Sequence, residues 1–204
     1  MPGNGAKTYL ALGDSYTIGT SVGETDRYPV QTAVLLKTQG IDIPRVEIIA
    51  TNGWTTTNLI NAINASQLTG SYDIVTLLIG VNNQYQGGTI DNYKQEFTTL
   101  IQKSIQLAGG RPNHVVVISI PDYSVTPFAK GRNTMQIATE IDAFNNANKA
   151  IADTYKTGYL NVTEDSRLAA RDPSLIASDS LHFSGKEYAI WSGKLASIIK
   201  AILQ

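Results

Sequence analysis

A three-layer α/β/α sandwich around a five-stranded parallel sheet is the fold class the sequence predicts, and three observations predict it. Short apolar runs alternate with amphipathic segments from end to end, each intervening segment is long enough for a crossover helix, and glycines stand where those helices should stop. The first strand, Thr8 to Leu12, is followed by a polar stretch and then by a helical segment, Tyr28 to Thr38, closed by Gly40. Val46 to Ala50 forms the second strand and Thr57 to Ala65 the next helix. After the third strand, Ile74 to Ile79, Ile90, Tyr93, Phe97, Leu100, Ile101 and Ile105 recur at helical spacing as far as Gly109-Gly110. Val115 to Ile120 gives the fourth strand, and Ile137, Ile141, Phe144, Ile151 and Tyr155 mark the helix behind it, with Gly158 expected at its end. A weak fifth strand over Tyr159 to Val162 precedes a final helix carrying Tyr188, Trp191, Leu195, Ile198 and Ile202. Parallel crossovers bury both faces of a sheet, and ligands then sit outside the carboxyl ends of the strands. The residues just after each strand are therefore the place to look for chemistry.

Composition narrows that chemistry. The chain reads as one domain over residues 1–204, with 1–7 as a flexible leader. Sixteen Lys and Arg against 17 Asp and Glu give a formal charge of -1, without the basic excess that a nucleic-acid partner requires. The absence of cysteine excludes thiol catalysis and disulfides, and two histidines do not make a His-rich metal centre, so neither metal nor cofactor is expected. No apolar run approaches the roughly 18 residues of a membrane span. As given, the sequence reads as cytoplasmic, and as periplasmic or secreted if a signal was removed. Oligomeric state is left open.

After the first strand comes Gly13-Asp14-Ser15-Tyr16, a tight turn that brings a serine hydroxyl to the rim of the sheet. Asn52-Gly53-Trp54 follows the second strand and Gly80-Val81-Asn82-Asn83 the third, delivering a backbone N–H and a side-chain amide to the same edge. Far downstream stands Asp179-Ser180-Leu181-His182. A serine is a weak nucleophile until a base takes its proton, and the base needs a third group to fix its tautomer. Three residues apart on a turn, Asp179 can reach Nδ1 of His182 and leave Nε2 free for Ser15. The Ser15 N–H, the Gly53 N–H and the Asn82 amide are candidate donors to a tetrahedral oxyanion.

These four blocks resemble those of the SGNH hydrolases, the GDSL-type esterases and lipases. Ser15, Gly53, Asn82 and His182 match the family's four named residues in order, with Asp179 in the Asp-x-x-His motif, and together they span residues 13 to 182. The resemblance implies a flavodoxin-like sheet and metal-independent hydrolysis of a small-molecule ester through an acyl-enzyme on Ser15. Lipid, lysophospholipid or acetylated carbohydrate substrates fit it, and the lack of room for a lid domain points to short-chain or small acyl groups. Three positions depart from the family pattern: Tyr16 for Leu, Asn83 for Asp, and Phe183 for Pro. They alter the pocket wall rather than the chemistry.

Other polar residues at the edge read more simply. Asp14 and Asp122 suit turn-stabilising roles, Asn83 a plain loop role, and His114 a structural role at the opposite edge. Trp54, Tyr85 and Tyr123 either line a pocket or shield the sheet end, and Thr17 to Arg27 is either a substrate-facing loop or a connector. Two other functions compete: a flavodoxin-like module that binds phosphate or flavin without chemistry, and an acyltransferase or carbohydrate deacetylase on the same scaffold. The G-x-x-x-x-G-K-[ST] and G-x-G-x-x-G patterns of nucleotide sites are both absent.

Overall fold

A computed structural model describes residues 5–66, 68 and 70–204. Its elements run, in chain order, β1 (Tyr9–Gly13), α1 (Ser15–Ile18), α2 (Tyr28–Thr38), β2 (Val46–Ala50), α3 (Thr56–Ala65), β3 (Ile74–Leu78), α4 (Val81–Tyr85), α5 (Ile90–Leu107), β4 (Val115–Ile118), α6 (Thr134–Tyr155), β5 (Gly158–Leu160), α7 (Thr163–Ser166) and α8 (Gly185–Leu203). Every strand pairing is parallel, and the order across the sheet is β2-β1-β3-β4-β5. Helices cover both faces, α2 packed on α8 over one and α5 between α3 and α6 over the other. The central strands β1, β3 and β4 are accordingly buried along their length, while the edge strands β2 and β5 keep partly exposed positions.

The chain winds outward from β1 to β2 and then crosses back to β3, so its winding reverses between β1 and β3. The carboxyl ends of those two strands diverge there, and the opening between them is where this topology places a ligand. Ser15 follows one strand and Asn82 the other.

All five strands fall within two residues of the expected runs, and the differences have side-chain causes. β4 stops at Ile118 because Asn145 of α6 takes the place of a neighbouring strand at Ile120. Its Oδ1 accepts the Ile120 N–H (2.8 Å), and its Nδ2 donates to the Ile120 carbonyl (2.9 Å). Tyr93 similarly donates its hydroxyl to the Ile79 carbonyl (3.0 Å), just past the end of β3. Gly40 and Gly109-Gly110 follow α2 and α5 as expected. Gly158 does not end α6. That helix closes on Lys156, which takes a left-handed conformation (φ 58°) while the Thr157 N–H reaches the Ala152 carbonyl (3.0 Å), and Gly158 instead opens β5.

Residues 1–4 of the expected leader lie outside the described residues, whereas Lys7 donates its N–H to the Asp42 carbonyl (2.7 Å). Among the described residues no helix is long and apolar enough to cross a membrane.

Candidate active site

The chain passes from β1 into α1 through a single residue, Asp14. So abrupt a turn needs Gly13, because a Cβ there would collide with Thr17 Oγ1 and the Leu78 carbonyl oxygen. Asp14 caps α1, its Oδ1 accepting the Tyr16 N–H (3.0 Å). Thr17 then fastens the turn to the core. Its Oγ1 meets the Tyr28 hydroxyl (3.3 Å), which meets Thr76 Oγ1 (3.5 Å), which meets the Tyr9 hydroxyl (3.1 Å). Ser15, the first helical residue, is thereby held buried at the sheet rim, and among the described residues its N–H has no acceptor.

Asp14 is fully buried, and its Oδ2 has no hydrogen-bond partner among the described residues. Burial pushes its carboxyl up to about 7, against partial opposition from the N–H groups of Tyr16, Asp14 and Gly80.

On the opposite side of the switch point, Asn82 donates Nδ2 to the Trp54 carbonyl (2.9 Å), tying the start of α4 to the loop after β2. Gly53 occupies the tip of that loop at φ 80°, a conformation a side chain would strain. Its N–H has no acceptor among the described residues. The neighbouring Asn83 faces elsewhere, bonding both the N–H (3.0 Å) and Oγ1 (2.6 Å) of Thr56 at the start of α3. Its role is structural as expected, but it is not a loop residue: it lies within α4 and anchors the start of α3.

His182 is buried in the loop before α8, and its Nδ1 lies 2.6 Å from Asp179 Oδ2. Asp179 Oδ1 accepts the N–H groups of Leu181 (3.0 Å) and His182 (2.9 Å), so the loop folds around its own carboxylate. Burial opposes the charge on Asp179, but the hydrogen bonds from Ser21, the His182 ring and those two N–H groups outweigh it and hold the carboxyl well below the usual range. The rings of Tyr16 and His182 meet in a T-shaped contact with centroids 5.6 Å apart, so the residue that stands in place of Leu shapes the seat of the imidazole.

Ser15, Asn82 and His182 line one cleft of about 240 Å³ together with Tyr16, Asn52, Val81, Tyr85, Tyr123, Phe128 and Leu181. Gly53 and Asp179 do not line it: Gly53 follows Asn52 in sequence, and Asp179 is joined to the cleft through the His182 ring. Among the described residues neither Ser15 Oγ nor His182 Nε2 has a hydrogen-bond partner. Catalytic hydrogen bonds in free enzymes are often long and tighten when substrate arrives.

Tyr85 and Tyr123 are pocket residues, whereas Trp54 packs on the core without lining the cleft. Asp122 is structural: its Oδ1 caps the turn at Ser124 (2.8 Å) and its Oδ2 pairs with Arg167 (2.9 Å). His114 lies at the far edge, its Nδ1 2.7 Å from the Asp73 carbonyl. Two contributors were not read from the sequence. Phe128 enters the cleft from a short turn after β4, and Ser21 donates its hydroxyl to Asp179 Oδ2 at 2.6 Å. Ser21 sits 158 residues before its partner, and only its place in a polar loop after the serine turn hinted at it.

The fold is that of a group of solved ester hydrolases. A lipase/acylhydrolase from Enterococcus faecalis superposes with a TM-score of 0.76 at 17% identity, covering 96% of each chain. Axe2-W215I, an acetyl xylan esterase from Geobacillus stearothermophilus, gives 0.73 at 19% identity over 97% of this chain and 95% of its own. The psychrotrophic esterase EstA from Pseudoalteromonas sp., in a structure inhibited by monoethylphosphonate, gives 0.72 at 17% identity over 96% and 97%. No curated protein sequence matches the chain. The family model for the GDSL-like Lipase/Acylhydrolase family matches residues 11–190, and the chain belongs to that family. It is a hydrolase acting on esters, which sets aside the purely binding module.

Proposed function

We propose that the chain is a metal-independent serine esterase for small acyl groups, working through an acyl-enzyme on Ser15. The observation that carries this reading is the shared cleft: Ser15 and Asn82 follow the two strands at the switch point, and His182 faces them with its far nitrogen bonded to Asp179. In the first half-reaction Ser15 Oγ attacks the ester carbonyl carbon and its proton passes to His182 Nε2. The carbonyl π electrons move to oxygen, where the N–H groups of Ser15 and Gly53 and the Asn82 amide receive the charge. Collapse breaks the bond to the alcohol oxygen, which leaves with the proton from Nε2. Water repeats the sequence on the acyl-enzyme and releases the acid. Asp179 stays ionised, as its depressed carboxyl requires, and steadies the imidazolium at each stage.

Cleft size supports small acyl groups. A volume of about 240 Å³ falls below the roughly 300–1,000 Å³ usual for drug-sized ligands. Its aromatic wall of Tyr16, Tyr85, Tyr123 and Phe128 suits a short apolar chain or a methyl group. The half-exposed ring of Tyr85 favours one second reading, an acyl group carried on a sugar, whose C–H faces stack on aromatic rings. Hydrolysis of a p-nitrophenyl ester series tests both. Acetate and butyrate should outrun dodecanoate in kcat/KM, and Ser15→Ala should abolish turnover. A preference for the long chain contradicts the acyl-size reading, and release of acetate from acetylated sugars ahead of simple esters selects the second.

A further inference from the structure

We propose that Ser21 is a positioning residue for the Asp179 and His182 pair, fixing the carboxylate oxygen that receives the imidazole N–H and moderating its pull on the ring proton. The proposal rests on the esterase reading above. Each oxygen of Asp179 carries two hydrogen bonds: Oδ1 from the N–H groups of Leu181 and His182, Oδ2 from His182 Nδ1 and Ser21 Oγ, the last two both at 2.6 Å. An ionised carboxylate offers about four such sites, so this one is saturated. Three of its four donors belong to its own loop. Among the described residues Ser21 alone comes from elsewhere, from the segment just past α1, the helix that Ser15 opens.

The backbone on that side is built to deliver it. The Ser15 carbonyl accepts the N–H groups of Gly19 and Thr20, each at 3.0 Å, which curls the chain back over α1 immediately before Ser21. Ser21 then takes φ 68°, a left-handed conformation that residues with side chains hold only where the surroundings fix it. Six residues therefore connect the nucleophile to the acid through backbone hydrogen bonds and one hydroxyl, a strut that sets the two halves of the site in register.

Removing the hydroxyl has a chemical consequence distinct from a packing loss. Asp179 Oδ2 would hold its charge with one donor fewer, attract the imidazole proton more strongly, and so favour imidazolium over the neutral base. The acidic limb of the pH–rate profile should move to higher pH. Other titratable groups stand nearby: Asp14 beneath Ser15, Tyr16 against the imidazole, and Tyr188, whose phenol feels the Asp179 charge. On the Ser21 loop itself, Asp26 packs on Gly185 and Arg27 pairs with the exposed Glu24 (3.5 Å). All of them persist in the variants, so the difference between profiles isolates the hydroxyl.

Ser21→Ala and Ser21→Gly make the test, because both lack the hydroxyl while glycine alone relaxes the left-handed backbone. Profiles of kcat and kcat/KM on a short-chain p-nitrophenyl ester would be taken between about pH 5 and 9, with thermal unfolding as a check on folding. Both variants should lose on the order of tenfold in kcat/KM at neutral pH, mostly in kcat, with acidic limbs raised alike. If alanine fails to fold, glycine still carries the test. Unmoved limbs in the folded variants, or a glycine variant that matches the wild type while alanine is impaired, overturn the proposal. A wild type whose turnover survives Ser15→Ala contradicts the esterase reading instead.

Discussion

Two aspartates flank the candidate nucleophile and live in opposite surroundings. Asp14 lies within the serine turn, fully buried, with one carboxylate oxygen capping α1 and the other unpartnered among the described residues. Asp179 lies across the cleft, partly exposed, with four donors on its two oxygens. Burial drives the first toward neutrality at physiological pH, and hydrogen bonding keeps the second charged. The same side chain thus becomes a neutral cap in one place and a fixed anion in the other. Neighbourhood, not residue type, decides which can support an imidazolium.

Replacing each carboxyl in turn by an amide separates the two aspartates most sharply. Asp179→Asn should lower kcat by roughly 10³- to 10⁴-fold with the fold intact, because the amide cannot hold the imidazole in the working tautomer. Asp14→Asn, which imitates the neutral acid, should stay within about tenfold of wild type. Steady-state kinetics on one short-chain ester reads both, and equal losses would show that Asp14 also works as an anion. On the oxyanion side, Asn82→Ala should cost about 10²- to 10³-fold in kcat with little change in KM, since that donor is needed most as charge develops. A loss confined to KM would make Asn82 a binding residue.

A smaller effect separates the two carboxyls in stability rather than rate. Asp14 ionises near 3.8 when unfolded and near 7 when folded, so its contribution is complete below about pH 4 and is lost as pH rises toward 7. Asp179 has the opposite sign: its depressed folded value adds stability above its unfolded value of 3.8, which is lost as pH falls below it. Glu187, buried against Trp191 and also raised to about 7, follows Asp14. Thermal unfolding across this range should therefore show Asp14→Asn with a flatter decline from pH 4 to 7 than wild type. Identical slopes would mean that folding does not raise the Asp14 carboxyl. The smallest expected change is at the rim: Tyr85→Ala should raise KM by roughly two- to fivefold and leave kcat alone, because an exposed ring binds substrate and transition state alike.

The sheet was legible because its signals are local. Apolar runs of four to six residues and helical periodicity in Ile90 to Ile105 or Tyr188 to Ile202 are written in consecutive residues, and the parallel order follows from the crossovers between them. Asp179 and His182 were readable for the same reason, being three residues apart on one turn. Contacts between distant segments left no such trace. Asn145 of α6 closing the end of β4, Phe128 entering the cleft and Ser21 reaching Asp179 are each set by packing between segments far apart in the chain. Lys156 ending α6 is a local event, yet lysine is not a residue whose identity announces a left-handed turn, and Gly158 was the stronger but misleading signal.

Everything proposed for the cleft depends on whether His182 activates Ser15. Intact-mass analysis after incubation with a fluorophosphonate, on wild type and on Ser15→Ala and His182→Ala, measures that directly. The expected result is one covalent adduct on wild type, none on Ser15→Ala, and an adduct formed at least about 10²-fold more slowly on His182→Ala. An adduct that persists in Ser15→Ala, or one that forms at the wild-type rate without His182, would contradict it.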